Sequence, residues 1–214
     1  MQTWIKICGT TCIEDALASL EAGADALGFV FAASKRQVSA EQVAAITAQM
    51  PSHIARIGVF NNHSVAQVSQ SVERAGLTGV QLHGDESPAF IAELRANLPA
   101  GKQLRVIKTV LVDENFNARF TQVCRNYRGI DSILLDSGAG SGKKFDWEKA
   151  KPLLEGNHKR LIVAGGLCAE NVGEAIRKFS PWGVDVVSGV EREPGRKDPE
   201  KLKAFVAAVK RVKR

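Results

Sequence analysis

Two residues far apart in the chain each close a short apolar run and open onto a loop rich in Gly, Ser and Thr. Cys8 ends WIKIC before Gly9, and Asp136 ends SILLD before Ser137. A thiolate and a carboxylic acid facing each other across one cleft are a base and an acid, and can move protons to and from a single substrate. Two later run endings, Gly165-Gly166 and Ser188-Gly189, expose backbone N–H groups after apolar runs. Backbone donors of that kind cradle phosphate. Arg36, in the SKR segment, has the planar fork that grips a carboxylate bidentately. His83, in QLHGDE, is a possible second proton carrier or a hydrogen-bonding rim residue. Together these residues point to proton-transfer isomerisation of a phosphorylated sugar.

Each has a plainer reading. A free cysteine is usually a small buried apolar residue, and an aspartate at a run's end is often a cap or loop-bonding group. Lys6, two residues before Cys8, favours the thiolate over the buried thiol. Cys8 and Cys12 are spaced like two zinc ligands, but no second close pair accompanies them and His53, His63, His83 and His158 are scattered. No metal is expected. Residues 138–143, GAGSGK, lack the glycine spacing of a nucleotide-binding P-loop. They read instead as a flexible lid beside Asp136 that brings Lys143 toward an anion.

The elements that must position these groups repeat eight times. Apolar runs rich in Val, Ile, Leu and Phe at 3–8, 26–31, 54–60, 79–83, 104–109, 132–136, 161–164 and 184–187 read as strands of a parallel sheet. Helical patterns at 13–22, 40–50, 64–75, 88–97, 114–126, 147–154, 169–179 and 199–212 separate them. Ser39, Ser64, Ser87 and Asp198 stand as N-caps, and Gly23 and Gly76 as stops. Eight βα units predict a single (β/α)8 barrel over residues 1–214, at roughly 27 residues per unit. An open doubly wound sheet is the competitor, but no G-x-G-x-x-G follows the first strand. In a barrel, the chemistry sits at the loops after the strands, and phosphate at the last two of them.

Counting in twos along the strands puts Lys6 and Trp4 on the face of Cys8, and Leu134 and Ser132 on that of Asp136. Gln81 shares a face with His83, and Asp185 with Val187. With these faces inward the barrel interior is unusually polar. Strand eight closes against strand one, so a buried Lys6 has Asp185 beside it as the partner it needs.

The bulk numbers fit a soluble enzyme. Of 214 residues, 44% are apolar and 24% charged, enough for a full core without metals or disulfides. Four cysteines are too few for a disulfide scaffold and suit a reduced cytoplasm. The start MQTWIKICG does not read as a signal peptide, and no apolar run reaches the roughly 20 residues that span a bilayer. The net charge of +6 is concentrated near the end, in Lys201, Lys203, Lys210, Arg211, Lys213 and Arg214. Those residues share an amphipathic helix with Leu202, Phe205, Val206, Val209 and Val212, so they form a solvated face. No nucleic-acid or membrane partner is expected, and a modest positive field attracts an anionic substrate.

In order along the chain, KICG (6–9), GADALGFVF (23–31), SKR (34–36), GVF (58–60), QLHGDE (81–86), LLD (134–136), GSGKKFDW (140–147), AGGL (164–167) with Asn171-Val172, and VDVVSGVE through PGRKD (184–198) resemble the phosphoribosylanthranilate isomerases of tryptophan biosynthesis. The resemblance covers nearly the whole chain. It implies a (β/α)8 barrel that uses no cofactor and isomerises N-(5-phosphoribosyl)anthranilate to 1-(2-carboxyphenylamino)-1-deoxyribulose 5-phosphate. It further implies Cys8 as general base, Asp136 as general acid and Arg36 as the group binding the anthranilate carboxylate. The partner is then a small phosphorylated substrate, and the assembly a monomer or homodimer.

Other sugar-phosphate barrels compete less well. The related isomerase of histidine biosynthesis uses two aspartates, whereas strand one here ends in Cys8. A metal-dependent epimerase wants histidines at several strand ends, and only His83 qualifies. A non-catalytic phosphate or nucleic-acid binder would show strongly salt-dependent binding and tolerate Cys8→Ser, but aromatics clustered for base stacking are absent.

Overall fold

The apolar runs become strands because β-branched and large aliphatic residues on both faces need burial on both sides, which a barrel wrapped in helices provides. The computed structural model describes residues 2–99, 102–136 and 159–212. Within them β1 (Trp4–Cys8), β2 (Ala26–Val30), β3 (Ala55–Phe60), β4 (Gly79–Leu82), β5 (Arg105–Leu111), β6 (Ser132–Asp136), β7 (Arg160–Val163) and β8 (Gly183–Val186) pair in chain order, all parallel, and β8 closes on β1. This is the (β/α)8 barrel. The described helices are α1 (Ile13–Ala22), α2 (Ala40–Thr47), α3 (Val65–Arg74), α4 (Pro88–Ala96), α5 (Phe116–Asn126), α6 (Val172–Phe179) and α7 (Pro199–Arg211). The helix expected at 147–154 and the 138–143 loop, with Lys143, lie outside the described residues.

Caps set the helix starts. Ser39 and Ser64 each form a reciprocal capping box, with Gln42 and Gln67 respectively. Ser87 accepts from Phe90 N–H ahead of Pro88, and Asp198 from the N–H groups of Glu200 and Lys201. Gly23 ends α1 at φ 104°, a conformation glycine adopts without penalty. Most element ends fall within two residues of expectation. Two helix ends depart by three residues, and the largest strand extension is two. The pattern at 169–179 starts three residues late, at Val172, because Asn171 turns its side chain back to Cys168 N–H and the Gly166 carbonyl, making a loop of the first turn. Strand β5 runs on to Leu111, paired there with Asp136. Helix α2 stops at Thr47, three residues before the pattern ends.

Strand alternation sorts the core into two. Ile5, Ile7, Leu27 and Phe29 join the large cluster between barrel and helices. Ala26, Ile57, Ile107, Leu134 and Ile162 fill the barrel's inside. Above that apolar layer lies a polar one, as the alternation predicts. Lys6 Nζ donates to Asp185 Oδ1 and to Gln81 Oε1, both at 2.9 Å, and Gln81 donates to Thr109 at 3.3 Å. Lys6 is fully buried. Burial works against its ammonium, but Asp185 and Cys8 outweigh that and hold its pKa above the usual value. Below the apolar layer, Trp4 and Trp182 stack at 4.7 Å and close the barrel floor.

After β8 the chain makes a 3-10 turn (Ser188–Val190) and then an antiparallel hairpin, β9 (Glu191–Glu193) and β10 (Arg196–Lys197), around Pro194-Gly195. This hairpin was not anticipated from the sequence.

Candidate active site

Cys8, Arg36, His83, Asp136, Gly165, Gly166, Ser188 and Gly189 stand at or just beyond the C-terminal ends of β1, β2, β4, β6, β7 and β8. All the strands are parallel, so all eight residues share one rim of the barrel.

Cys8 is buried at 4% exposure, with the thiol lying over Gly28 of the neighbouring strand. A Cβ at position 28 would stand 2.5 Å from Cys8 Sγ and 3.0 Å from its Cα, so only glycine leaves room for the sulfur there. Burial and the Asp185 carboxylate push the thiol's pKa up, while Lys6 and Lys197 pull it back. Burial prevails and the thiol's pKa lies above its ordinary value, with the Lys6 and Lys197 side chains placed to stabilise its anion.

Arg36 is carried on a loop that folds back onto β2, where Val38 N–H donates to the Val30 carbonyl. Its aliphatic stem crosses Gly9. A Cβ at Gly9, whose φ is +76°, would meet Arg36 Cδ at 2.6 Å. Its Nε and Nη2 donate to Glu191 Oε1 and Oε2 at 2.8 and 2.6 Å. That is a side-on bidentate pair, and it leaves the end-on Nη1/Nη2 edge for a second carboxylate. Glu191 is itself buried. Burial raises its pKa, but Arg36, Lys197 and the Gly195 N–H overcome this and hold it below the usual carboxylate range. Lys197, buried, bridges Glu191 Oε1 at 3.2 Å and the Cys8 carbonyl. The hairpin thus locks the loops after β1 and β2 into one piece.

Across the rim, Asp136 Oδ2 lies 4.0 Å from His83 Nε2, with both side chains partly exposed. The Asp136 carbonyl accepts from Val112 N–H, which fixes the strand end. Asp136 also raises the pKa of Asp185, after burial, which raises it, and Lys6, which lowers it. The carboxyl at the rim and the polar layer beneath it therefore sense each other.

The glycine loops follow β7 and β8. Gly165 and Gly166 both have positive φ, 85° and 63°, and a Cβ at Gly166 would meet open space. Their conformation requires glycine, and the space in front of Gly166 is clear. Gly189 answers to packing instead: a Cβ there would collide with the Leu167 carbonyl. Ser188 and Gly189 open the 3-10 turn, whose first N–H groups have no carbonyl within the turn to bond.

Sequence reasoning missed Gly28, Glu191 and Lys197 as parts of this site. For Gly28 the signal is a glycine inside a strand, the mark of a close approach. For the other two it is a Pro-Gly pair flanked by opposite charges, which reads as a turn bringing them together.

Among the described residues no group of three or more His, Cys, Asp or Glu is arranged to hold a metal ion. What the rim does offer is a carboxyl group, a thiol beside two lysines, an arginine with a free edge, and backbone donors on the last two loops. A (β/α)8 barrel so equipped is a sugar-phosphate isomerase. Comparison with known proteins makes the assignment particular. Residues 5–208 match the family described as N-(5'phosphoribosyl)anthranilate (PRA) isomerase, and the chain belongs to it. A relative from Pelobacter propionicus named N-(5'-phosphoribosyl)anthranilate isomerase is 44% identical, covering 98% of this chain and 96% of its own. The crystal structure of phosphoribosyl anthranilate isomerase from Thermotoga maritima superposes with a TM-score of 0.86 at 37% identity, covering 98% of this chain and 99% of that one. A structure of phosphoribosyl anthranilate isomerase in complex with reduced 1-(o-carboxyphenylamino)-1-deoxyribulose 5-phosphate gives 0.83 at 38%, with the same coverages.

Proposed function

We propose that this chain converts N-(5-phosphoribosyl)anthranilate to 1-(2-carboxyphenylamino)-1-deoxyribulose 5-phosphate in tryptophan biosynthesis, with Asp136 as acid and Cys8 as base. The observation that carries the assignment of roles is the shared rim: acid and thiol end strands β6 and β1, and the two phosphate-type loops end β7 and β8 between them. A substrate whose phosphate sits on Gly165, Gly166, Ser188 and Gly189 spans from one to the other.

The chemistry runs in two proton transfers. Asp136 protonates the furanose ring oxygen, the C1′–O bond breaks, and the anilino nitrogen's lone pair forms an iminium ion. That cation acidifies the C2′ hydrogen. Cys8 as thiolate takes it, and the electron pair flows to the nitrogen as an enolamine, which tautomerises to the ketone. Lys6 and Lys197 stabilise the thiolate. Arg36 presents its free edge to the anthranilate carboxylate, and His83 hydrogen-bonds substrate near the acid. Reactant and product are isomers, so the hydrogen shift balances without an external oxidant or cofactor.

The reading extends to the rest of the molecule. The described residues form a single barrel, and the protein works as a monomer or homodimer. Four free cysteines suit a reducing cytoplasm, and no described helix is long and apolar enough to cross a membrane. The charge on α7 is its solvated face, and nothing in the reaction calls for nucleic acid.

The test follows the fluorescence decay of freshly prepared phosphoribosylanthranilate with wild type, Cys8→Ser and Asp136→Asn. Rapid turnover by wild type and loss of at least a hundredfold in both folded variants supports the roles. Turnover surviving in Cys8→Ser removes the thiolate as base.

A further inference from the structure

The end of the barrel opposite the rim carries a second concentration of charge. Ala55, Arg105 and Arg160 begin β3, β5 and β7, and Thr78 and Asp131 immediately precede β4 and β6. Together with neighbouring residues they line a cleft of about 580 Å³, a volume within the range of small-molecule pockets. Its ionisable groups are His53, Arg95, Lys102, Arg105, Asp131 and Arg160. One carboxylate therefore faces four full cations, and that carboxylate is already taken. Asp131 Oδ2 accepts from Arg95 at 3.2 Å and from Val106 N–H at 2.7 Å. Arg95 also donates through Nε and Nη2 to the Gly129 carbonyl and through Nη1 to the Leu104 carbonyl.

Arg105 and Arg160 are left over. Arg105 stacks at 5.4 Å on both Trp4 and Trp182, and Arg160 at 4.8 Å on Trp182. Neither side chain donates a hydrogen bond to any described residue, and Arg105 Nη1 is buried without a partner. Burial lowers the pKa of Arg105, and Arg160 lowers it further, against a smaller pull from Asp131. Two like charges share one aromatic ring, and no described residue supplies either with a hydrogen-bond acceptor. The indole rings satisfy the faces of the guanidiniums only, and their edges keep their demand for oxygen.

From this geometry we propose a second ligand site at the barrel floor, in which Arg105 and Arg160, with Lys102 at the edge of the cleft, bind a phosphate or pyrophosphate group of a small molecule. Two planar forks held on one tryptophan match the several oxygens of such a group, and its negative charge relieves the repulsion between them. The site lies at the opposite end of the barrel from Cys8 and Asp136. Its ligand touches no reacting atom.

The tryptophans report on it directly. The chain has three, Trp4, Trp147 and Trp182, and in Trp147→Phe the remaining two are the stacked pair at the floor. This protein is titrated with sodium pyrophosphate at constant ionic strength, with parallel titrations of inorganic phosphate and ribose 5-phosphate. The expected result is a saturable change in indole emission that weakens at least tenfold on adding Arg105→Gln or Arg160→Gln and severalfold on adding Lys102→Gln. Arg160 is exposed, so its variant keeps the test decisive if Arg105→Gln does not fold. The tightest of the three ligands shows whether the group is taken free or carried on a sugar. A response that fails to saturate and is matched by sodium chloride overturns the proposal. So does a saturable response unchanged by Arg160→Gln, or one displaced by the isomerisation product, which would place the ligand at the catalytic rim.

Discussion

Glu191 holds Arg36 from the side, Oε1 on Nε at 2.8 Å and Oε2 on Nη2 at 2.6 Å, and so determines which edge of the guanidinium faces the mouth. The arginine proposed to grip a substrate carboxylate is thus fixed in orientation by the protein itself. Less side-chain entropy is then lost on binding.

Replacing Glu191 by Gln should therefore act mainly on KM. A charge-assisted bidentate pair is worth about 1.5–3 kcal/mol, so kcat/KM should fall roughly ten- to a hundredfold, with kcat less affected. The variant also leaves Lys197 buried beside a neutral group, and its Tm should drop. Steady-state kinetics and calorimetry on one preparation separate the two effects. An unchanged KM would remove Glu191 as the positioner of Arg36.

Gly28→Ala tests the space that Cys8 occupies. The new methyl would lie 2.5 Å from Sγ and 3.0 Å from Cys8 Cα, which no rotamer change relieves. Displacing the base by about 1 Å costs on the order of a hundredfold in rate, while KM stays near its wild-type value. A variant with full kcat would mean that the sulfur has room to move without loss.

The Lys6–Asp185 pair is buried at 0% and 5% exposure. Removing one partner strands the other, a cost of about 3–5 kcal/mol. At about 2–4 °C per kcal/mol for a chain of this size, Asp185→Asn or Lys6→Met should lower Tm by roughly 6–20 °C. The double variant Lys6→Met/Asp185→Leu should recover much of that loss while remaining poorly active. Equal stability of either single variant and wild type would contradict the buried pair.

Burial raises the Cys8 pKa, and the proposed mechanism uses its thiolate. Below that pKa the thiolate fraction grows about tenfold per pH unit. The sign is thus fixed for the thiol itself: the ultraviolet thiolate absorbance that is lost in Cys8→Ser should climb from pH 7 toward pH 9 and level only above the ordinary thiol range. A difference that is flat across that interval, measured with folding intact, would show that the thiolate is already formed at neutral pH.

Much of this could be read from the residues. Eight apolar runs, the capping serines and the glycine stop at 23 needed only local rules. The Lys6–Asp185 pair needed only the period of two and the closure of strand eight on strand one. What escaped depended on meetings that no local pattern encodes. Glu191 and Lys197 look like ordinary surface charges until the Pro194-Gly195 turn folds them inward over β1. Gly28 looks like a weak spot in β2 until the neighbouring strand places a sulfur above it. The first turn of the helix at 169 was lost because the Asn171 side chain accepts from Cys168 N–H and donates to the Gly166 carbonyl, holding that segment as a loop, and propensity does not rank that local contest.

The same closure has a consequence for how the molecule comes into being. Lys6 and Asp185 are 179 residues apart, and Lys197 reaches the Cys8 carbonyl across 189. A chain emerging from the ribosome at about 5–20 residues per second exposes its first strand many seconds before the last one exists. During that interval the Lys6 ammonium has no carboxylate, the Cys8 thiol has no cover, and β1 offers an unpaired edge to any neighbouring nascent chain. Cys8 is thus among the first side chains made and among the last enclosed. Oxidation and mispairing during biosynthesis threaten it more than either does in the finished barrel.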